Sequence, residues 1–578
     1  NRHIKTNSKG CKELLMQRMF LAIVSSIALK FFFMSCLILI TNISTDYSSW
    51  LQDTWTAITS FRMWKSFVML ATVILLQGII CSKSYLNTPP YVGRRFAKIC
   101  GIFTSHNLLL GILHINIGGL LVWLHLSLKG GKYSSATENC NLMYGTCLVE
   151  EHYFLLLSGL WSGLYFFMKT NIFQVKYLKF PIISLPKFLQ LKRGIYSMLP
   201  SLMVASVWST FYYLICYYFL GYYCQSTILF LTSTQLEKQP LDTISGILNF
   251  SLLFHLWMYQ LIFILTINSM DLLFQIYLTE WISFEFKKSN AFDNDSGTVT
   301  LPEALSMEKI PIMQQLGYLD LVTLAQKDKS RRSILFTLSQ PGGHPYNWNC
   351  VVEKCIGLIK KFTDDLNIES NKIHEPLSTT SNMQTANSTA FQKDYVYHMR
   401  KLVPEQTLSP HTDKIDQNQV PDTETFIQKF VKAKWQNFLN YLLSKPLVYY
   451  FFGELEGGKV CYILFNGQPV IWAAEAISSL CVLSLTEDSY GIVQKDLPLV
   501  INSLLALKQA LDKLQKSNFL TKRQQGDDEY IKQTFVSLRA AIKRSIYRIV
   551  TSFENYVADL ALETTAIEQL QSFLSYRE

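Results

Sequence analysis

Long apolar runs separated by polar loops dominate residues 1–270. Six runs stand out: Met19–Ile40, Trp64–Cys81, Leu108–Leu128, Tyr153–Met168, Tyr196–Leu220 and Ser245–Thr266. A bilayer core about 30 Å thick needs roughly 20 apolar helical residues to cross it. Five runs meet that length. Tyr153–Met168 is short, but Glu151 and Lys169 bracket it and reach toward the interface. The pattern predicts six transmembrane helices, with Asp271–Phe286 prolonging the sixth into water. The first run is too long for the apolar region of a cleaved leader and lacks a small-residue cleavage site. It is expected to remain as a span, although a first residue, Asn1, that is not Met suggests an incomplete N-terminal segment.

Past residue 286 the pattern changes. Ser289–Thr300 is polar and reads as a linker. Residues 310–365 read as two helices separated by Ser339-Gln340-Pro341-Gly342-Gly343-His344-Pro345, where proline and glycine end one helix and aim the next. Gly342 and Gly343 suit positive φ, His344 is expected to hydrogen-bond within the turn, and Trp348 to pack the following helix. Residues 368–421 carry few large apolar side chains and are expected to be disordered. A helix then starts at Asp422/Thr423 and stops at Pro446. Leu497, Val500, Leu504, Leu507, Leu511 and Leu514 alternate at spacings of three and four, a helical seam. Ile531, Phe535, Leu538, Ile542, Ile546 and Ile549 form a second stripe beyond a polar loop, Gln515–Glu529. The two are expected to pack together as the core of a docking domain. Residues 558–576 make a last short helix, and only Val460–Phe465 competes as a strand.

The fold class is therefore all-α, a polytopic six-helix membrane domain followed by a helical cytosolic or nucleoplasmic domain. Its segments are 1–18, basic; 19–270, the six spans; 271–300, a helical extension and linker; 301–367, helices around the turn; 368–421, a disordered linker; and 422–578, a C-terminal helical docking domain.

Charge orients the spans. The segment before the first run and the second and fourth loops are basic. The first, third and fifth loops hold Asp46, Asp53, Glu138, Glu150, Glu151, Glu237 and Asp242. Positive loops stay cytoplasmic, so both termini are expected on the cytosolic side. Residues 1–270 hold 21 Lys and Arg against 8 Asp and Glu, and the remainder 32 against 35, which together give the net +10. The basic character belongs to the membrane half and suits anionic headgroups. A nucleic-acid-binding domain would need a basic patch on the soluble half.

Chemistry is sparse. No phosphate-binding glycine loop, nucleophile elbow or zinc-protease helix occurs, and no cofactor, metal or small-molecule substrate is expected. Cys140 and Cys147 share the third loop, either as a disulfide or as two free thiols. Cys350 and Cys355 lack a second Cys/His pair at zinc spacing and read as helix residues. The sequon Asn42-Ile43-Ser44 lies too close to the first span to be modified. His106, His114 and His125 fall on or near the third run and His255 in the sixth. Without intramembrane carboxylates they read as interhelical hydrogen-bonding groups. A charged Lys30 inside the first run costs roughly 3 kcal/mol on insertion scales, so it must meet a polar neighbour or reach the interface. Gly118-Gly119 permits close helix packing. The competing readings are a six-span transporter or channel, and an intramembrane enzyme using His114, His125 or His255.

Several stretches carry a resemblance: Pro240–Asn249, Tyr318-Leu319-Asp320-Leu321, Ser330-Arg331-Arg332, and Phe336–Trp348 with its Ser-Gln-Pro-Gly-Gly-His-Pro core. Tyr450-Phe451-Phe452, Ile471–Ala476, Ser484–Asp488 and Gly491–Gln494 follow in order. Together the chain resembles the nuclear division cycle transmembrane nucleoporins. The resemblance implies a non-enzymatic six-span anchor of the nuclear pore complex in the nuclear envelope, with its C-terminal domain facing the pore. It implies two partners, the propeller nucleoporin ALADIN and a membrane-associated inner-ring nucleoporin with an RRM-like domain. Residues 368–421 look shorter than the linker of vertebrate members. Phe-Gly dipeptides are isolated, as at Phe452-Gly453, so no part in the permeability barrier is expected.

Overall fold

The computed structural model describes residues 2–43, 46–86, 91–128, 133, 135–139, 146–172, 178, 180–181, 185–232, 241, 249–286, 299–308, 310–338, 343–374, 434, 441, 445–453, 457–516 and 528–575. Helices build both halves. In the membrane half they are α1 (Arg2–Thr41), α2 (Tyr47–Thr59), α3 (Phe61–Leu86), α4 (Arg95–Cys100), α5 (Ser105–Leu128), α6 (Glu150–Ile172), α7 (Lys187–Thr232) and α8 (Phe250–Leu278). A two-stranded antiparallel hairpin, β1 (Thr137–Asn139) with β2 (Thr146–Leu148), precedes α6 and pairs Glu138 with Cys147.

Among the described residues six helices are long and apolar enough to cross a bilayer, five of them in the membrane half: α1, α3, α5, α7 and α8. The sixth is Gln468–Glu487, in the C-terminal half. It is mostly buried among other helices there, which makes it an apolar core helix. The fourth predicted run falls within α6, outside that set because the run is short and Glu150, Glu151, His152 and Lys169 flank it closely. Packing nonetheless places α6 among the spans, against α5 and α8. A side chain on Gly159 would stand 2.6 Å from the Gly118 carbonyl oxygen, and one on Gly163 would strike the His114 backbone. Small residues let helices approach closely where no water drives them together.

The helices overrun the predicted boundaries. α7 has 46 residues, about 69 Å at 1.5 Å per residue, well beyond a bilayer core. α1 begins at Arg2, so most of the basic 1–18 segment is the start of the first helix. α8 stops at Leu278 rather than continuing to Phe286. Beyond it the chain is non-helical, and Glu285 bridges to Thr300. The first loop, read as merely polar, contains α2.

The C-terminal half comprises α9 (Leu301–Leu305), α10 (Pro311–Lys327), α11 (Lys329–Leu335), α12 (Tyr346–His374), α13 (Pro446–Phe452), α14 (Gly458–Phe465), α15 (Gln468–Glu487), α16 (Ile492–Lys516), α17 (Asp528–Ser552) and α18 (Thr564–Leu574). The first of the two helices expected over 310–365 is split. Asp328 leaves helical geometry and its carboxylate accepts from the Arg331 backbone N–H at 3.1 Å, starting α11. Residues 368–374, assigned to a disordered linker, complete α12. Val460–Phe465 is helix, not strand. The linker residues 375–421 and almost all of the helix expected from Asp422 lie outside the described residues, as do most of 289–300 and 515–529.

One buried cluster joins the halves. Cys11, Leu15 and Met19 of α1, Cys81 and Tyr85 of α3, and Met270, Phe274 and Leu278 of α8 share it with Leu301, Leu316, Trp348, Leu480 and Leu504. Arg18 donates to the Glu280 carbonyl at 2.7 Å, and Phe180 meets Trp472 edge-on at 5.1 Å. The C-terminal half is thus seated on the ends of the spans.

Candidate docking site

The intramembrane polar residues are engaged with one another. Lys30 is 1% exposed and its Nζ donates to Thr266 Oγ1 at 2.7 Å, linking α1 to α8. His125 joins Tyr259 (2.6 Å) and Thr41 (3.0 Å) through its two ring nitrogens. His114 Nδ1 donates to the Leu110 carbonyl at 2.8 Å, leaving Nε2 to accept from Gln77 at 3.4 Å. His255 Nδ1 meets the Ser251 carbonyl at 2.7 Å. Gln260 accepts from Ser209 (2.8 Å) and donates to the Ser158 carbonyl (3.1 Å). Buried Glu150 accepts from Tyr217 Oη and the Leu241 N–H, both at 2.9 Å. The His114–Leu110 and His255–Ser251 bonds stay within one helix, whereas the other contacts join separate segments, satisfying buried polar groups as a bilayer requires. Among the described residues no group of His, Cys, Asp and Glu is placed to hold a metal ion.

A denser network lies where the chain leaves α8. Asp320 of α10 is 0% exposed. Its carboxylate accepts from the Phe284 N–H at 2.9 Å and from Arg331 Nη1 and Nη2 at 3.0 and 2.6 Å. Arg331 also donates to the Phe284 carbonyl at 2.6 Å. Burial works against its charge, but the hydrogen bonds and charge of Asp320 outweigh it and raise its pKa. Next to it, Arg332 grips Glu487 through Nε (3.1 Å) and Nη2 (2.9 Å) and reaches the Leu324 and Ala325 carbonyls that end α10. The Arg332 hydrogen bonds hold the Glu487 carboxyl below its ordinary range. Two adjacent arginines therefore fasten α10 and α15 to the exit of the last span. Planar guanidinium forks suit such bidentate pairing. Asp320, Arg331, Arg332 and Glu487 were given no role from sequence. The signal present was the charge of Asp320 inside an otherwise apolar helical stretch, whereas Arg331, Arg332 and Glu487 stand in polar runs.

Trp348 is fully buried, and its Nε1 donates to Asp496 at 3.0 Å, joining α12 to α16. His344 is exposed, and Pro345 precedes α12. Pro341 and Gly342 lie outside the described residues. Positive φ occurs instead at Gly457 and Gly491, both at 65°. At Gly491 it lets Asp488 accept from the Tyr490 and Val493 N–H groups, each at 3.0 Å, and so start α16.

Leu497, Val500, Leu504, Leu507, Leu511, Ile531, Phe535, Leu538 and Ile542 are all buried in the shared core. α16 and α17 touch, but α16 lies more fully along α12 and α17 along α15. Lys508 is buried, 3.8 Å from Asp512 and 5.1 Å over the Phe573 ring. Burial pushes the Cys355 and Cys481 thiols up to about 12. Cys350 is half-buried on α12. Cys147 is disulfide-bonded, and Cys140 lies outside the described residues.

The family model described as "Nucleoporin protein Ndc1-Nup" matches residues 13–571. The chain belongs to the Ndc1-Nup nucleoporin family. It is 28% identical to nucleoporin NDC1 of Homo sapiens, across 92% of this chain and 92% of that protein. Nucleoporin Ndc1 of Drosophila melanogaster is 25% identical, across 98% of this chain and 99% of its own. Nucleoporin ndc-1 of Caenorhabditis elegans matches at 26% identity across 46% of this chain and 42% of its own. Membership makes this an Ndc1-Nup nucleoporin of multi-pass membrane type, a structural protein rather than an enzyme.

Proposed function

We propose that this nucleoporin anchors the nuclear pore complex in the pore membrane and supports assembly by recruiting soluble nucleoporins through its C-terminal helical half. The observation that carries the reading is the core shared between that half and the ends of α1, α3 and α8. A scaffold mounted in this way transmits load from partner to bilayer. The partners this reading names are an ALADIN-like propeller and a membrane-associated inner-ring nucleoporin with an RRM-like domain. Both termini face the cytosolic, pore side, in keeping with the basic second and fourth loops.

Affinity purification of the tagged full chain tests this, with Leu504→Asp and a truncation after Met270 as comparisons. The full chain should bring both nucleoporins, and neither variant should. Equal recovery with the truncation would defeat the proposal. For orientation, tags at either end should be reachable once the plasma membrane is selectively opened, and a tag near Ser134 should stay protected. A protected C-terminal tag would reverse the topology.

A further inference from the structure

The geometry points to a lipid-binding surface on α2: we infer that this helix lies in the headgroup zone of the leaflet opposite the basic loops. α2 connects the end of α1 at Thr41 to the start of α3 at Phe61, with Ser60 alone between α2 and α3. The basic second loop lies at the other end of α3, so α2 sits at the opposite membrane boundary. Its surface divides into three sectors. Thr54 is buried, and Ala57 and Ile58 pack on the core of the spans. Trp50 Nε1 donates to the Leu39 carbonyl at 3.0 Å and fixes the helix to the end of α1. Ser48, Gln52, Asp53 and Thr56 are exposed polar groups. Between these sectors run Tyr47, Leu51 and Trp55, spaced by four residues and 69%, 43% and 69% exposed.

Exposed apolar residues on two spans flank that stripe on either side. Leu39, Ile40 and Ile43 are exposed at the end of α1, and Phe61, Trp64 and Val68 at the start of α3. The surface covering the spans is lipid, and the stripe lies between two faces that meet it. Tyrosine and tryptophan favour the headgroup level, where the ring is dry and its polar atom wet. A helix with one apolar face, one polar face and little charge lies in that plane. Asp53 is the sole side chain of α2 charged at neutral pH, so no basic group draws anionic lipid. The helix should therefore engage zwitterionic lipid as readily as acidic lipid.

The test uses the full chain in phosphatidylcholine nanodiscs. A trace of phosphatidylcholine carrying a photoactivatable diazirine near its glycerol backbone is included, and adducts are mapped by mass spectrometry. Tyr47, Leu51 and Trp55 should be labelled several-fold more than Gln52 and Thr56, and equally when phosphatidylserine is added. A diazirine at the acyl terminus should instead mark residues deeper in the spans, such as Leu76 and Ile112. Labelled Leu76 and Ile112 with an unlabelled stripe would overturn the inference. So would cross-links joining the stripe to a second copy of the chain, or labelling that requires phosphatidylserine.

Discussion

At the residue scale, buried charge is the feature most exposed to mutation. Asp320→Ala leaves the Arg331 guanidinium and the Phe284 N–H without their acceptor. Breaking a buried pair in this way costs on the order of 3 kcal/mol, and the melting temperature of the detergent-solubilised chain should fall accordingly. The Glu487–Arg332 pair adds a pH dependence. Hydrogen bonding from Arg332 lowers the Glu487 carboxyl below its ordinary 4.5. Its contribution is complete above that value and drains away as pH falls through the lower folded-state pKa. Glu487→Gln should lower stability at pH 7 and flatten this acid dependence in melts taken from neutral to acidic pH. The thiols provide a third check. Cys355 and Cys481, raised to about 12 by burial, should resist maleimide at neutral pH until the chain unfolds. Exposed Cys100 should react at once.

Among elements, α6 depends on contact rather than hydropathy. Gly159→Val places methyl groups where the Gly118 carbonyl stands. The variant should lower the melting temperature of the solubilised chain, while Leu164→Val on the exposed face of the same helix should not. The seam obeys a similar rule on the aqueous side. Leu504 and Ile542 are wholly buried, so an aspartate at either strands a charge and costs several kcal/mol, on the order of 3 or more. Helical content and partner recovery should fall together. Lys508→Glu belongs with these core changes, because it sets a carboxylate beside Asp512 in a buried position.

The whole molecule behaves as one cooperative body to the extent that its core is shared. A fragment of residues 289–578 loses the faces supplied by Cys11, Leu15, Met19, Phe274 and Leu278. Met307, which meets Cys11 in the full chain, then faces water with its apolar neighbours, and exposed apolar patches of this kind promote association. The fragment should unfold at a lower temperature than the same region in the full chain, measured by hydrogen exchange on both. Equal protection in the two would show that the span ends contribute nothing.

Much of this was legible in residue order, and the reasons are local. Spans need long apolar runs whatever surrounds them, so α1, α3, α5, α7 and α8 announce themselves, and loop charge supplies an orientation. The three-and-four spacing of Leu497 to Leu514 marks a buried helical face before any partner is known. The family resemblance also lay in short motifs. Contact between distant segments left weaker traces. Asp320 and Arg331 look like surface charge until the fold brings them beside Phe284, and Glu487 does until Arg332 meets it. Lys508 reads as solvent-facing until Phe573 covers it. The stripe of Tyr47, Leu51 and Trp55 is too short to separate from loop composition, and only the seating of Ala57 and Ile58 on the spans leaves it exposed. Periodicity reports how one element divides its own faces. Which face meets another element, and which meets lipid, depends on residues hundreds of positions away, and tertiary structure alone decides it.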